Sequence, residues 1–307
     1  MLRKLLLYLS GAGWARRLTT QLFLARRVAL RFVAGETLDD AVAATRTLNR
    51  AGLAVSLDYL GESVLHADDT KAVVDTYHTL IERISADRLD ASISLKLTHL
   101  GLDISEELCL LNLRHILTNA KDADIPVTID MEGSDYTEQT LRLYRTVRDE
   151  YDFGNVGTVI QSALKRSRDD MRQLADEGAR IRLCKGAYLE PPHIAYADKA
   201  DVDKNYAEIM EDYLQHAPRS RLEIATHDEK LIKRAEHLIG SLRVPVDGYE
   251  FQMLYGVRGA RQAELAAAGY PTRVYVPFGE AWYPYFMRRL AERPANLWFF
   301  LRSLLRR

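Results

Sequence analysis

Eight short β-rich runs alternate with longer amphipathic stretches along this chain, and no other feature restricts its fold as strongly. The runs read as strands over 54–57, 91–97, 126–130, 156–161, 179–184, 221–225, 248–252 and 272–276. Helical patterns follow them over 69–85, 106–120, 137–150, 169–176, 204–215, 229–238, 261–268 and 280–291. Strand–helix alternation implies parallel pairing through right-handed crossovers. Eight such units count out a (βα)8 TIM-like barrel, an α/β architecture. An open doubly wound sheet would use fewer strands and a Gly-rich first turn. Gly11-Ala12-Gly13 lacks a third glycine and follows no strand, so no dinucleotide fingerprint is read there. The expected organisation is an N-terminal helical extension over 1–45 and a catalytic barrel over 46–307, with a final helix over the C-terminal mouth.

Length and composition agree with one barrel. The chain has 307 residues, 47% hydrophobic and 28% charged, an ordinary globular mix that excludes disorder. Lys and Arg number 42 against 43 Asp and Glu, so the overall field does not suit a nucleic-acid binder. Cys109 and Cys184 are too few for a disulfide framework or a four-thiolate zinc site, and no His/Cys cluster has metal-ligand spacing. A reducing compartment, the cytoplasm, is the simplest expectation.

No apolar run approaches the roughly 20 residues of a membrane span. The stretch 5–10 behind Arg3 and Lys4 is short for a signal peptide, and Gly11-Ala12-Gly13-Trp14 is a weak cleavage site. The ends are basic. Arg3, Lys4, Arg16, Arg17, Arg26, Arg27 and Arg31 precede the first acid, Glu36, and Arg293, Arg302, Arg306 and Arg307 follow the last, Glu292. Mixed with Leu, Phe and Trp, such ends either lie on the anionic inner face of a membrane or pack on the domain, and packing is the favoured reading. Removing about the first 35 residues is expected to spare dye-linked turnover but to weaken vesicle association.

A barrel places its functional groups at the C-terminal ends of strands. Asp58, Glu62, Lys96, His99, Asp130, Glu132, Gln161, Arg182, Lys185, Thr226, His227, Gln252, Tyr255 and Tyr275 fall there. So many polar groups at equivalent points argue for one large polar pocket. Lys96 in an apolar strand needs an anion, from a side chain or a substrate. Tyr285, Arg288, Arg289 and Glu292 stand at i, i+3, i+4 and i+7, along one side of the last helix. An adjacent Arg pair fixed by a carboxylate suits a small carboxylate ligand; the spacing equally allows a solvated face with an Arg288–Glu292 pair. Gly186-Ala187 lets a flat ring or phosphate approach the backbone beside Arg182 and Lys185. Ala225-Thr226-His227-Asp228 reads as a helix cap able to bind phosphate.

Several motifs stand together: Ser-Leu-Asp-Tyr-Leu-Gly-Glu at 56–62, Leu-Lys-Leu at 95–97, Arg-Leu-Cys-Lys-Gly-Ala-Tyr at 182–188 and Ala-Thr-His at 225–227. Tyr-Glu-Phe-Gln-Met-Leu-Tyr-Gly at 249–256, Arg-Val-Tyr-Val-Pro-Phe-Gly at 273–279 and the Tyr-x-x-Arg-Arg-x-x-Glu of the last helix complete them. In this combination the chain resembles the monofunctional bacterial proline dehydrogenases and the matching domain of bifunctional proline utilisation enzymes. The resemblance implies a distorted barrel that holds FAD noncovalently, oxidises L-proline to Δ1-pyrroline-5-carboxylate and passes electrons to a membrane quinone. Carried over by motif, Lys96, Arg288 and Arg289 bind the substrate carboxylate, Glu292 orients the arginines, and Glu62 pairs with Arg288. Tyr275, Tyr285 and Leu254 wall the ring. Asp130 holds the Lys96 region, and Met131, Gln161, Arg182, Cys184, Lys185, Gly186, Ala187, Thr226 and His227 line the FAD, with Arg182 the donor near flavin N5. Asp130, Arg182 and Tyr275 are thus the implied catalytic group.

A separate pyrroline-5-carboxylate dehydrogenase is an implied partner. One departure is Arg293-Pro294 after Glu292, which should end the helix early. The competing readings are a hydroxyproline dehydrogenase, a methylenetetrahydrofolate reductase-like flavin barrel and a non-catalytic sensor of proline or flavin. The Arg pair argues for a small amino acid over a folate.

Overall fold

The computed structural model describes Leu6 and residues 29–292. Eight parallel strands close into a barrel in sequence order: β1 (Ala54–Tyr59), β2 (Ala91–Leu95), β3 (Val127–Ile129), β4 (Val156–Gln161), β5 (Arg180–Cys184), β6 (Arg221–Ala225), β7 (Tyr249–Leu254) and β8 (Thr272–Phe278). The helices are α1 (Leu38–Arg50), α2 (Ala67–Ala86), α3 (Glu106–Asp122), α4 (Thr137–Arg145), α5 (Ser167–Asp176), α6 (Lys199–Leu214), α7 (Glu229–Leu242), α8 (Gly259–Ala267) and α9 (Trp282–Glu292). The (βα)8 expectation is met. The basic terminal segments, apart from Leu6 and residues 29–31, lie outside the described residues, as does Pro294.

The strands alternate in a way that explains the whole interior. Val55, Leu57, Ile93, Ile129, Ile181, Leu183, Leu222, Ile224, Phe251, Val274 and Val276 are buried among one another and the surrounding helices. The positions between them carry Ser56, Ser94, Arg182, Glu223, Gln252 and Tyr275. These point inward: Arg182 of β5 reaches across the barrel to Ser56 of β1 at 3.4 Å and Ser94 of β2 at 3.1 Å. A barrel interior is ordinarily filled by Val, Ile and Leu; here the polar period-2 set fills it.

Several expected boundaries shift, for local reasons. β2 stops at Leu95, and the chain turns through a 3-10 turn, Thr98–Leu100, closed by Gly101 at φ +96. Glu132 holds that turn, accepting from the Thr98 N–H at 3.1 Å and the Thr98 hydroxyl at 2.7 Å. The helix expected over 137–150 is α-helical to Arg145 and widens into a π turn over Thr146–Glu150 that buries Val147. β7 and β8 run two residues further than expected, to Leu254 and Phe278.

One helix precedes the barrel repeat, and the eighth βα helix, α9, closes it. Thr37 caps α1 by accepting from Asp40 N–H, and Asp40 accepts in return, a capping box. The division at residue 45 falls inside this helix, whose Ala41, Val42 and Thr45 are buried. At the other end, α9 has a small core of its own. Trp282, Tyr283, Tyr285, Phe286, Met287 and Leu290 pack with Leu6, Ala29, Phe32, Val33 and Leu60. The N-terminal segment therefore clamps the last helix over the mouth. Gly256 marks the crossing, because a Cβ there would lie 1.6 Å from the Arg31 carbonyl oxygen.

Candidate active site

The C-terminal ends of the strands open into a cavity of about 720 Å³, within the range of roughly 300–1,000 Å³ that holds small molecules and cofactors. Lys96, Asp130, Met131, Gln161, Arg182, Cys184, Lys185, Gly186, Ala187, Thr226, His227, Leu254, Tyr275, Tyr285, Arg288 and Arg289 all line it. The expected substrate and cofactor residues are thus brought to one place, except Glu292, whose side chain lies outside the described ones; of the polar strand-end groups, Glu62, His99, Glu132 and Tyr255 do not line the cavity.

One end of the cavity is cationic. The buried Lys96 Nζ lies 3.4 Å from Asp58 Oδ1. Burial favours the neutral amine, but Asp58 and Asp130 outweigh it and raise the Lys96 pKa, so the ammonium persists. Arg288 Nη1 donates to Glu62 Oε1 at 2.8 Å. Burial pushes the Glu62 carboxyl up, yet Arg288 outweighs it and holds it below its ordinary value. Arg289 stacks its guanidinium 5.2 Å from the Tyr285 ring centroid. Tyr188 approaches from the β5–α6 loop, where burial raises its phenol to about 12 against the pull of Arg288 and Lys96.

The floor is built on Asp130 and Arg182. Asp130 accepts from Arg182 Nη1 and from the Tyr275 hydroxyl, both at 2.7 Å. The direct ion partner of Lys96 is a residue to which the sequence gives no such role. Asp58, near the end of β1, is the carboxylate within ion-pair reach of Lys96, whereas Asp130 holds the strand end through its backbone N–H, which donates to the Leu95 carbonyl at 2.8 Å, and attracts Lys96 from further away. The cause is β2 ending at Leu95, which leaves Lys96 beside β1.

The opposite wall carries backbone approaches and a fixed cation. Gly186 has φ +104, and a Cβ there would sit 2.7 Å from Gln161 Oε1, so glycine is required. Gln161 Nε2 donates to the Glu132 carbonyl at 2.8 Å. Lys185 Nζ is held between Asp203 Oδ1 at 2.5 Å and Asp228 Oδ2 at 2.7 Å. Asp228 also caps α7, accepting from Lys230 N–H; Lys185 more than offsets the partial burial and brings its carboxyl to about 2. His227 Nε2 accepts from the Leu254 N–H at 2.9 Å, so that nitrogen carries no proton.

The sequence reading missed Tyr188 and the partners of Lys185, Asp203 and Asp228. It also missed an ion layer below the floor, made by Arg180, Glu223, Glu250 and Arg273. Its signal was present: Arg180/Arg182, Glu250/Gln252 and Arg273/Tyr275 repeat polar residues at i, i+2 within strands. Among the described residues, no group of three or more His, Cys, Asp or Glu could hold a metal.

The proline dehydrogenase family model matches residues 41–302, which include every lining group just described. The chain belongs to the proline dehydrogenase family. Proline dehydrogenase 1 of Bacillus subtilis subsp. natto is 43% identical over 307 residues, 100% of both chains. Proline dehydrogenase of Deinococcus radiodurans is 40% identical over 282 residues, 91% of this chain and 90% of that one. Bifunctional protein PutA of Escherichia coli is 30% identical over 311 residues, covering 88% of this chain and 23% of its own. The solved proline utilization A of Bdellovibrio bacteriovorus shares the fold at TM-score 0.81 and 24% identity, over 87% of this chain and 33% of the other. The chain is an enzyme of the proline dehydrogenase class. A proline dehydrogenase must grip a small carboxylate, and the cationic end of the cavity is suited to that.

Proposed function

We propose that this enzyme oxidises L-proline to Δ1-pyrroline-5-carboxylate on a noncovalently held FAD and passes the electrons to a membrane quinone. The observation that carries the reading is the convergence of Lys96, Arg288 and Arg289 at one end of the same cavity that Gln161, Lys185, Gly186 and Thr226 line. Arg288 and Arg289 take the carboxylate by charge-assisted hydrogen bonds, with Lys96 as a third cation. A substrate carboxylate competes with Glu62 for Arg288. The same cations disfavour a protonated substrate amine, which therefore reaches the reactive neutral form more readily. Tyr275, Tyr285 and Leu254 wall the ring and exclude water. Asp130 keeps Arg182 and Tyr275 in position through its two accepted hydrogen bonds.

The remaining lining residues fit a flavin. Arg182 places a fixed positive charge in the floor, the Gly186-Ala187 backbone leaves room for a flat ring, and Lys185 with the Thr226 segment offers a cation and a helix start for phosphate. Met131, Cys184 and His227 complete that wall. A bound flavin supplies the hydride acceptor that no side chain here provides. Quinone as the acceptor, a separate pyrroline-5-carboxylate dehydrogenase as the consumer of product, and a cytoplasmic enzyme peripheral to the inner membrane face complete the proposal, with 1–45 as extension and 46–307 as barrel. No helix of the described residues is long and apolar enough to cross a membrane.

The test is the visible spectrum of the purified protein before and after anaerobic L-proline. Flavin bands that bleach with proline are the expected result. Bands that bleach only with hydroxyproline would move the substrate assignment, and a protein that takes up no added FAD would overturn the reading.

A further inference from the structure

Beneath the cavity floor the barrel holds a second layer of charge that the proposed reaction does not touch directly. Glu223 of β6 stands at its centre, 3% exposed. Its Oε1 accepts from Arg180 Nη1 at 2.8 Å. Its Oε2 lies 3.6 Å from Arg182 Nε and accepts no hydrogen bond. Arg182 Nε donates to Gln252 Oε1 at 2.6 Å instead, and Gln252 Nε2 donates to Glu250 Oε1 at 2.8 Å. Glu250 in turn is gripped by Arg273 through Nε at 2.8 Å and Nη2 at 3.1 Å. Arg182 lines the cavity, whereas Glu223, Arg180, Glu250 and Arg273 do not.

A buried carboxylate with one oxygen left without a donor is a poor stabilising device. Buried ion pairs barely repay their desolvation, and an unsatisfied oxygen adds to the cost. Glu223 is nonetheless ionised: burial pushes its carboxyl up, but Arg180, Arg182 and Arg273 outweigh that and hold it at about 2. The charge therefore persists at neutral pH, faces one side of the Arg182 guanidinium and acts in a medium of low dielectric. Asp130 answers the same guanidinium from the cavity side at 2.7 Å.

We propose that Glu223 is a positioning residue of the oxidation, whose negative charge, acting through Arg182, limits how strongly the cavity floor favours the reduced cofactor. This rests on the reading that the cavity holds a flavin. A cation under a flavin stabilises its reduced, negatively charged form, and a carboxylate behind that cation offsets the effect. Arg180 has the opposite sign on the same carboxylate. It lies against the Thr128 hydroxyl and the Val127 and Asn155 carbonyls, away from the cavity.

The experiment compares holoenzymes of wild type, Glu223→Gln, Glu223→Asp and Arg180→Gln by redox titration against a reference dye, with thermal unfolding alongside. Glu223→Gln should raise the reduced-to-oxidised flavin ratio at fixed potential about tenfold, an upward shift of about 30 mV for a two-electron couple. Arg180→Gln should move it downward, and Glu223→Asp, which keeps the charge, should return it toward wild type. Both neutral variants lose stability, so a merely structural role gives potentials that stay put or move together, and either result overturns the proposal. Should Glu223→Gln retain no flavin, Arg180→Gln decides alone: a lowered potential supports the role, an unchanged or raised one ends it. Wild-type protein that binds no flavin overturns the functional reading and this inference together. Wild type that bleaches with proline but shares its potential with every variant overturns this inference alone.

Discussion

Arg288 and Arg289 sit one residue apart on α9 yet have different surroundings, and this shapes what each substitution should do. Arg288 leaves Glu62 only by exchanging one carboxylate for another, while Arg289 lies against the Tyr285 ring. Removing one partner of a buried charge pair costs about 2–5 kcal/mol, and every 1.4 kcal/mol is about tenfold. Arg288→Ala and Arg289→Ala should therefore each raise the proline KM more than tenfold while flavin content stays at the wild-type level. Steady-state kinetics with the 450 nm to 280 nm absorbance ratio as control checks this, and unchanged KM in both variants would remove the carboxylate assignment. The arginine pair was legible in the sequence because a helix converts i, i+3, i+4 spacing directly into a shared face. Asp58 as the partner of Lys96 was not, because it depends on where β2 ends, a matter of one or two residues.

At the level of elements, α9 is the part of the site with the least support from the barrel itself. Its apolar side is covered by Ala29, Phe32, Val33 and Leu60, and Trp282 Nε1 donates to Glu36 Oε1 at 3.0 Å. Truncation after about residue 35 was expected to spare dye-linked turnover, and the packing reverses that expectation. Deleting residues 1–35 uncovers Phe286 and Trp282, each worth about 1.5–3 kcal/mol of burial, and loosens the helix that carries both arginines. The proline KM should rise at least several-fold, with flavin retained because β4, β5 and β6 still carry its wall. Wild-type kinetics in the truncated enzyme would show that α9 holds its place unaided. Periodicity gave all eight strands of the barrel, because aliphatic side chains at every second position face the helices. It could not give the clamp, whose contacts join residues more than two hundred positions apart.

For the molecule as a whole, acid should be the weak direction. Burial, with Lys96 adding to it, pushes His99 from its ordinary 6.5 down to about 4. Between those values the unfolded chain binds a proton at this histidine and the folded one does not, so stability falls as pH drops from 6.5 towards 4. At about 1.4 kcal/mol per pKa unit the loss reaches roughly 3 kcal/mol. Glu223, at about 2 against an ordinary 4.5, extends the loss below pH 4.5. Urea unfolding at pH 7 and pH 5 should show the decline in wild type and much less of it in His99→Gln; equal slopes would exclude His99 as the cause. The ion layer around Glu223 also bears on temperature. A centre filled by guanidinium and carboxylate exposes polar as well as apolar surface on unfolding, and polar exposure lowers the heat-capacity change. The stability curve of this barrel should accordingly be flatter than that of an aliphatic-centred barrel of equal length. As the hydration of charged groups weakens on warming, the middle of the molecule should be the last region to yield to heat.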